Sequence, residues 1–264
     1  MHTQTSALPL LLTGTIDPTV FSPDLTKIST ADRLMQYQKA IRFYITQSPF
    51  NRIVFIENSG YDFVWQQFAE LAKAHSKRFE FLRGSFCREE CNAYGIGYGD
   101  ALLIHEALEQ SELLRDVEYF YKITGRLICK NLNKVLKTRD KYRNEFIIYQ
   151  FKGWCMTWFF KVNRQDYMQF FDDVYQECNE RTLHDMEICF YERIRDRHIP
   201  VGSFETYPYM EGLVGSHLTP YSGRLPKRII QNIMARCHCF TYNAKTSILF
   251  SKLLNRMGVK RFTE

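Results

Sequence analysis

Four short apolar runs constrain this chain more than any other feature. Each closes in polar turn chemistry, and a helix-length amphipathic stretch separates it from the next. Leu8 to Leu12 is apolar without alternation, which predicts a fully buried strand. It ends in Thr13-Gly14-Thr15-Ile16-Asp17-Pro18, which is turn chemistry. A helix is predicted from Ala31, capped by Ser29 or Thr30. Leu34, Tyr37, Ile41, Tyr44 and Ile45 recur at helical spacing, and Pro49 stops it. Arg52 to Ile56 is the second strand, ending in Glu57-Asn58-Ser59-Gly60, and a helix follows over Tyr61 to Ser76. Phe79 to Leu82 is a third strand. A Gly-rich loop from Tyr94 to Asp100 then leads into a helix ending near Leu114. Tyr119 to Ile123 is the fourth strand and ends in Thr124-Gly125-Arg126.

This alternation argues for a mostly parallel sheet covered by helices. In such sheets ligands sit outside the carboxyl ends of the strands, and here those ends are polar or turn-forming. The second half is less regular. Phe146 to Gln150 and Trp154 to Val162 read as strands, with a hairpin turning at Lys152-Gly153. Gln165 to Glu177 and Leu183 to Arg195 read as helices, and Ile199 to Glu211 as a loop or short strand. Pro226 to Leu254 reads as one or two further helices. The expected fold is α/β, Rossmann-like, with a helical C-terminal extension. Residues 1–223 form the main domain, and 224–264 form a basic helical segment packed on it.

Composition narrows the classes. At 264 residues, 45% hydrophobic and 24% charged, the chain is neither disordered nor collagen-like. A chain of this length buries enough surface to fold without disulfides or metal. The net charge of +6 is modest, and no long basic run occurs, although positive charge outweighs negative from Arg224 onward. That balance suggests an anionic ligand or surface and argues against coating by nucleic acid. No apolar run reaches the ~20 residues of a spanning helix. Ala7 to Leu12 is short and only His2 precedes it, so the positive flank of a secretory signal is missing. Cys87 with Cys91, and Cys237-His238-Cys239, lack a second half at zinc spacing, so free thiols in a reducing cytoplasm are expected.

Within Lys122-Ile123-Thr124-Gly125-Arg126, the glycine permits close backbone approach and the two cations can neutralise a diphosphate. The blander reading is a strand end with two solvated basic residues. Gly95-x-Gly97-x-Gly99 fits neither the dinucleotide fingerprint nor the P-loop. It is either an anion-receiving helix start or a flexible connection capped by Asp100. Asp185, Glu187 and Glu192 are candidates for acid–base work, against the alternative of a solvated helix face. Trp154 and Trp158 read as core. His105 and His217 lack partners at ligand spacing, and Ser59 and Ser85 lack a nucleophile-elbow context.

Three ordered motifs carry a resemblance. They are Leu12-Thr13-Gly14-Thr15-Ile16-Asp17-Pro18, Tyr98-Gly99-Asp100 with Glu106-Ala107-Leu108, and Phe120-Tyr121-Lys122-Ile123-Thr124-Gly125-Arg126-Leu127. Together they resemble a group of bacterial glycosyltransferases of capsule and lipopolysaccharide O-antigen assembly that includes galactofuranosyltransferase-type domains. The resemblance spans residues 8 to 195 and implies a fold similar to GT-A. It implies transfer of a galactose or galactofuranose type of hexose from a nucleotide-diphosphate sugar, UDP-linked, to a hydroxyl of a glycan or lipid-linked glycan. The implied donor site comprises Thr13, Gly14, Thr15, Asp17, Glu57, Asn58, Tyr98, Gly99, Lys122, Thr124, Gly125 and Arg126. Glu187 is the implied base, with Asp185 and Glu192 as substitutes. The usual Asp-x-Asp metal signature would follow the fourth strand, where Thr124-Gly125-Arg126 stands instead. That departure puts dependence on Mn or Mg in doubt and leaves Lys122 and Arg126 to balance the leaving diphosphate. Two other readings stay open: a catalytically silent nucleotide-sugar-binding or scaffold protein, and a nucleic-acid or anionic-surface binder. The expected location is cytoplasmic. The segment from Arg224 through Lys260-Arg261 rests on an anionic membrane, or else packs on the domain with its basic face in water.

Overall fold

The unbroken apolar run near the start of the chain is explained by where its strand sits. The computed structural model describes residues 7–21, 27–213, 219–221, 223 and 225–256. His2, His217, Arg224, Lys260 and Arg261 lie outside the described residues. Strand β1 (Pro9–Gly14) is the middle strand of a five-stranded sheet, and all of its residues are buried. Its neighbours are β2 (Arg52–Glu57) and β4 (Tyr119–Thr124), both parallel to it; Leu10 is paired with Ile53 on one side and Tyr121 on the other. Strand β3 (Arg78–Arg83) adds in parallel beyond β2. The antiparallel edge strand β8 (Phe159–Asn163) closes the other side against β4. The order is thus β3-β2-β1-β4-β8.

Helices cover both faces, so alternate residues of each strand enter different cores. Leu10, Leu12, Phe55 and Tyr121 pack with Tyr37, Ile41 and Tyr44 of α1 (Thr30–Gln47) and Phe68 of α2 (Gln66–Ala74). Leu11, Val54, Ile56 and Phe120 pack on the opposite side. Their partners include Leu103 and Ile104 of α4 (Ile96–Gln110) and Phe190 of α7 (Met186–Asp196). The chain is therefore α/β with a mostly parallel sheet between helical layers.

Several boundaries differ from expectation. Ser29 caps α1, its side chain accepting from the Asp32 N–H, worth about 1 kcal/mol. Helix α2 starts at Gln66 instead of Tyr61. The preceding Phe63 and Trp65 are used against the sheet, Trp65 stacking on Phe81 with ring centroids 4.6 Å apart. The Gly-rich stretch is not an open loop. Helix α3 (Arg88–Tyr94) runs up to Gly95, and α4 begins at Ile96, so Gly97, Gly99 and Asp100 are helical.

The single predicted strand from Trp154 to Val162 is broken. Strand β5 (Ile128–Cys129) pairs with β9 (Met210–Glu211), and a four-residue α5 (Leu132–Val135) follows β5. Strands β6 (Ile148–Tyr149) and β7 (Trp154–Cys155) form the hairpin, with Gly153 left-handed at the turn. Met156, Thr157 and Trp158 then leave the ladder before β8. Helix α6 (Arg164–Phe170) is shorter than predicted, its continuation being 3-10 from Val174 to Glu177. Two helices, α8 (Leu225–Arg236) and α9 (Lys245–Arg256), complete the described chain. They pack through buried Ala235 and Phe240, and Ile148 N–H donates to the Phe240 carbonyl at 2.9 Å.

Candidate functional site

The chain steps outward from β1 through β2 to β3 and then crosses back to β4 on the other side of β1, so the strand order reverses between β1 and β4. A crevice opens at such a switch point, beyond the carboxyl ends of the strands. A cavity of about 570 Å³ occupies that place, a volume ordinary for a small-molecule site. Thr13 and Gly14 of β1 with Thr15 just beyond it, Asn58 after β2, and Thr124 at the end of β4 with Arg126 after it form its floor. Close approach of the strand ends requires glycine: a Cβ on Gly125 would lie 2.8 Å from the Thr13 carbonyl, and one on Gly14 2.5 Å from the Tyr37 ring. Gly125 N–H donates to that same carbonyl at 2.8 Å.

The β1–α1 turn is tied down from several sides. Thr15 Oγ1 donates to Asn58 Oδ1 at 2.7 Å, and Thr15 N–H donates to the Tyr37 hydroxyl at 2.9 Å. Arg33 Nε and Nη2 both donate to the Thr15 carbonyl, at 3.0 and 2.6 Å. Glu57 is wholly buried beneath the turn, its Oε1 accepting from the N–H groups of Ile16 and Ser59. Its place is under the site, not on its wall. Asp17 caps the short 3-10 turn Pro18–Val20. Although burial opposes it, hydrogen bonds from Thr19 and Thr30 hold its carboxyl below the usual range.

Two arginines carry the electrostatics. Arg33 and Arg126 are each only 8% exposed and both line the cavity. Neither has a carboxylate in ion-pair contact among the described residues. Arg126 Nη1 donates to Gln36 Oε1 at 2.8 Å, while its buried Nε has no partner among the described residues. Burial depresses the pKa of Arg33; Tyr37 opposes this and the like charge of Arg126 reinforces it. The nearby Asp17 charge attracts Arg33 without forming an ion pair. Buried guanidinium groups lacking a direct carboxylate contact are costly, so this wall suits an anionic ligand.

The opposite wall carries carboxylates. Glu187, in the first turn of α7, lines the cavity and accepts from Thr157 Oγ1 at 2.7 Å. Burial, and then the neighbouring Asp185 charge, push its carboxyl up to about 7. Asp100 also lines the cavity. Its Oδ2 accepts from Lys122 Nζ at 2.5 Å, and Lys122 is completely buried, donating also to the Thr157 carbonyl at 3.1 Å. Trp158 and Tyr221 supply an aromatic edge, with ring centroids 5.9 Å apart at 77°.

Of the donor residues expected from sequence, Thr13, Gly14, Thr15, Asn58, Gly99, Thr124 and Arg126 come together on the cavity wall, with Glu187 facing them. The others lie elsewhere. Lys122 is consumed by Asp100, and Gly125 lies under the wall. Tyr98 packs between Tyr94 and Tyr175. Asp185 caps α7, accepting from Ile188 N–H, and burial raises its pKa. Glu192 is bonded to His184 Nε2 at 2.7 Å. Sequence reasoning missed Arg33 and read Asp100 only as a cap. The signal for Arg33 was available: it falls on the buried stripe of α1 one turn before Tyr37.

Arg126 stands after β4 where a divalent cation would need carboxylates, and Asp100 is committed to Lys122. Among the described residues no cluster of three or more His, Cys, Asp or Glu side chains could hold a metal ion. All eight cysteines are free.

No family model matches this chain, and no curated protein matches it. Solved structures do. A proposed nucleotide-diphospho-sugar transferase from Desulfovibrio desulfuricans G20 is 12% identical, with a TM-score of 0.46, covering 75% of this chain and 80% of its own. A proposed glucose-1-phosphate thymidylyltransferase from Bacillus anthracis, solved with sucrose, is 11% identical with a TM-score of 0.42, covering 88% and 95%. An active-site mutant of LgtC is 7% identical with a TM-score of 0.38, covering 89% and 71%. None of these likenesses carries the reading that follows, which rests on the residues of the site.

Proposed function

We propose that the chain is a metal-independent glycosyltransferase of GT-A-like fold, using a nucleoside-diphosphate sugar with uridine as its nucleoside. The observation that carries the reading is the pair of buried arginines at the β1/β4 switch point, Arg33 and Arg126, neither ion-paired among the described residues. Their position replaces the pairing of Lys122 with Arg126 expected from sequence, because Lys122 is spent on Asp100. A diphosphate bound there satisfies the orphan Arg126 Nε and relieves the repulsion between the two guanidinium groups.

The chemistry follows from that placement. The bond from the anomeric carbon to the diphosphate oxygen breaks through an oxocarbenium-like state, and charge grows on the phosphate. Two fixed guanidinium groups stabilise that charge without reorganising. The acceptor hydroxyl attacks the same carbon, and its proton passes to Glu187. With its carboxyl raised to about 7, Glu187 is poised between its two states near neutral pH. Asp100, held by Lys122, is placed to accept hydrogen bonds from sugar hydroxyls. The acceptor is a hydroxyl of a surface glycan or lipid-linked glycan, and the sugar is a hexose.

Thermal unfolding tests the reading directly. Saturating UDP should raise Tm by about 5 to 11 °C, since a ligand at 100 times its Kd adds about 2.7 kcal/mol. The rise should survive EDTA and vanish in Arg126→Met, whose unliganded Tm should not fall. Absence of any nucleotide-dependent rise would overturn the reading. A rise that needs manganese would overturn its metal-independent part.

A further inference from the structure

The two C-terminal helices face the wrong way for a solvated surface. Helix α8 turns polar groups inward: Asn232 Oδ1 accepts from Tyr207 N–H at 3.1 Å, and the Arg228 guanidinium lies 3.6 Å over the Tyr209 ring. At 100° per residue, Leu225, Ile229 and Ile233 fall on one stripe with Ile230 beside it. All four are more than half exposed. Helix α9 repeats the outward arrangement, although its Phe250 ring packs on Phe151 with centroids 5.9 Å apart. Ser247 is buried, with its hydroxyl donating to Gln150 Oε1 at 3.1 Å, while Leu249 and Leu253 are 70% and 53% exposed.

The two helices carry charge of one sign only. Between Leu225 and Arg256 stand Lys227, Arg228, Arg236, Lys245, Lys252 and Arg256, and no Asp or Glu. The rest of the chain carries 29 Lys and Arg against 29 Asp and Glu, so this segment holds the whole net charge of +6. No described helix is long and apolar enough to cross a bilayer. Exposed isoleucines and leucines flanked by cations alone fit the surface of an anionic bilayer, apolar side chains among the acyl chains and cations among the headgroups.

We propose that α8 and α9 dock this protein on an anionic phospholipid surface. The inference rests on these helices and stands whether or not the cavity transfers a sugar. A second copy of the chain fits less well, because pairing two such faces would bring cations against cations, with no Asp or Glu on either helix to offset them.

Vesicle flotation of the full chain tests the proposal. The protein should float with vesicles containing about a third phosphatidylglycerol at about 0.1 M salt, and bind pure phosphatidylcholine at least tenfold less. The double variant Ile229→Gln/Ile233→Gln should lose at least tenfold in partition while keeping its Tm. The variant Lys245→Gln/Lys252→Gln should weaken binding and its dependence on salt together. Equal binding to neutral and anionic vesicles, or none to either, would overturn the proposal. So would a dimer in solution that Ile229→Gln/Ile233→Gln dissociates while vesicle binding is unaffected.

Discussion

At the scale of single residues, the carboxyl of Glu187 links stability to activity. Its pKa is raised from an ordinary carboxylate value to about 7, burial first and Asp185 second. Between those values the folded protein binds more protons than the unfolded chain, so stability falls as pH rises through this window. Glu187→Gln should therefore raise Tm at pH 8, by a gain on the order of 2 kcal/mol that disappears towards pH 4. The same substitution should cut kcat by roughly a hundredfold to ten-thousandfold. In the wild type, kcat/KM should rise about tenfold per pH unit below 7 and level off above it, because the base must be ionised. A kcat within tenfold of wild type in Glu187→Gln would remove it as the base. Glu187 was legible in the sequence only as one of three acidic residues near the start of a helix. What sets it apart from Asp185 and Glu192 is orientation, since those two are occupied by the α7 cap and by His184.

At the scale of elements, the sheet was legible because its strands are buried on both faces and so lose their alternation. The boundaries missed are those where side-chain packing overrode pattern. Trp65 delays α2, and Gly97 and Gly99 are small because α4 runs close to α3 and α7, a Cβ on Gly97 falling 3.1 Å from Met186 Cβ. The role of Lys122 was legible in principle. It shares its strand face with Phe120, which enters the core under α4, so a lysine there needs a carboxylate on that helix. Asp100 supplies it, and the pair ties α4 to β4. Asp100→Ala leaves Lys122 buried and unpaired and should cost about 3 kcal/mol, or about 6 to 12 °C in Tm. Adding Lys122→Met should recover most of that loss, because an apolar side chain of similar length needs no counter-ion. If the double variant is no more stable than Asp100→Ala, the ion pair is not what holds these elements together. Urea or thermal melts of the variants decide it.

At the scale of the whole molecule, α8 and α9 combine an inner attachment with an outer face of different chemistry. Phe240, between the two helices, is 1% exposed and packs against Tyr149 and Tyr207, with ring centroids 5.1 and 5.4 Å away. Its carbonyl accepts from Ile148 in the hairpin that leads to Thr157 and Trp158 on the cavity wall. The attachment therefore belongs to the same packed body as the site, whereas the isoleucines and leucines, more than half exposed, add little to that packing. The two layers should separate under mutation. Phe240→Ala should cost about 3 to 5 kcal/mol, as buried aromatic truncations do, and should weaken nucleotide binding through the Thr157–Trp158 turn. Ile229→Gln/Ile233→Gln should leave both Tm and nucleotide binding unchanged. Removal of everything after residue 224 would mix the two effects, since it strips Phe240 from the core together with the outward face. A truncated chain that kept the wild-type Tm and nucleotide response would show instead that the sheet and its site stand without these helices.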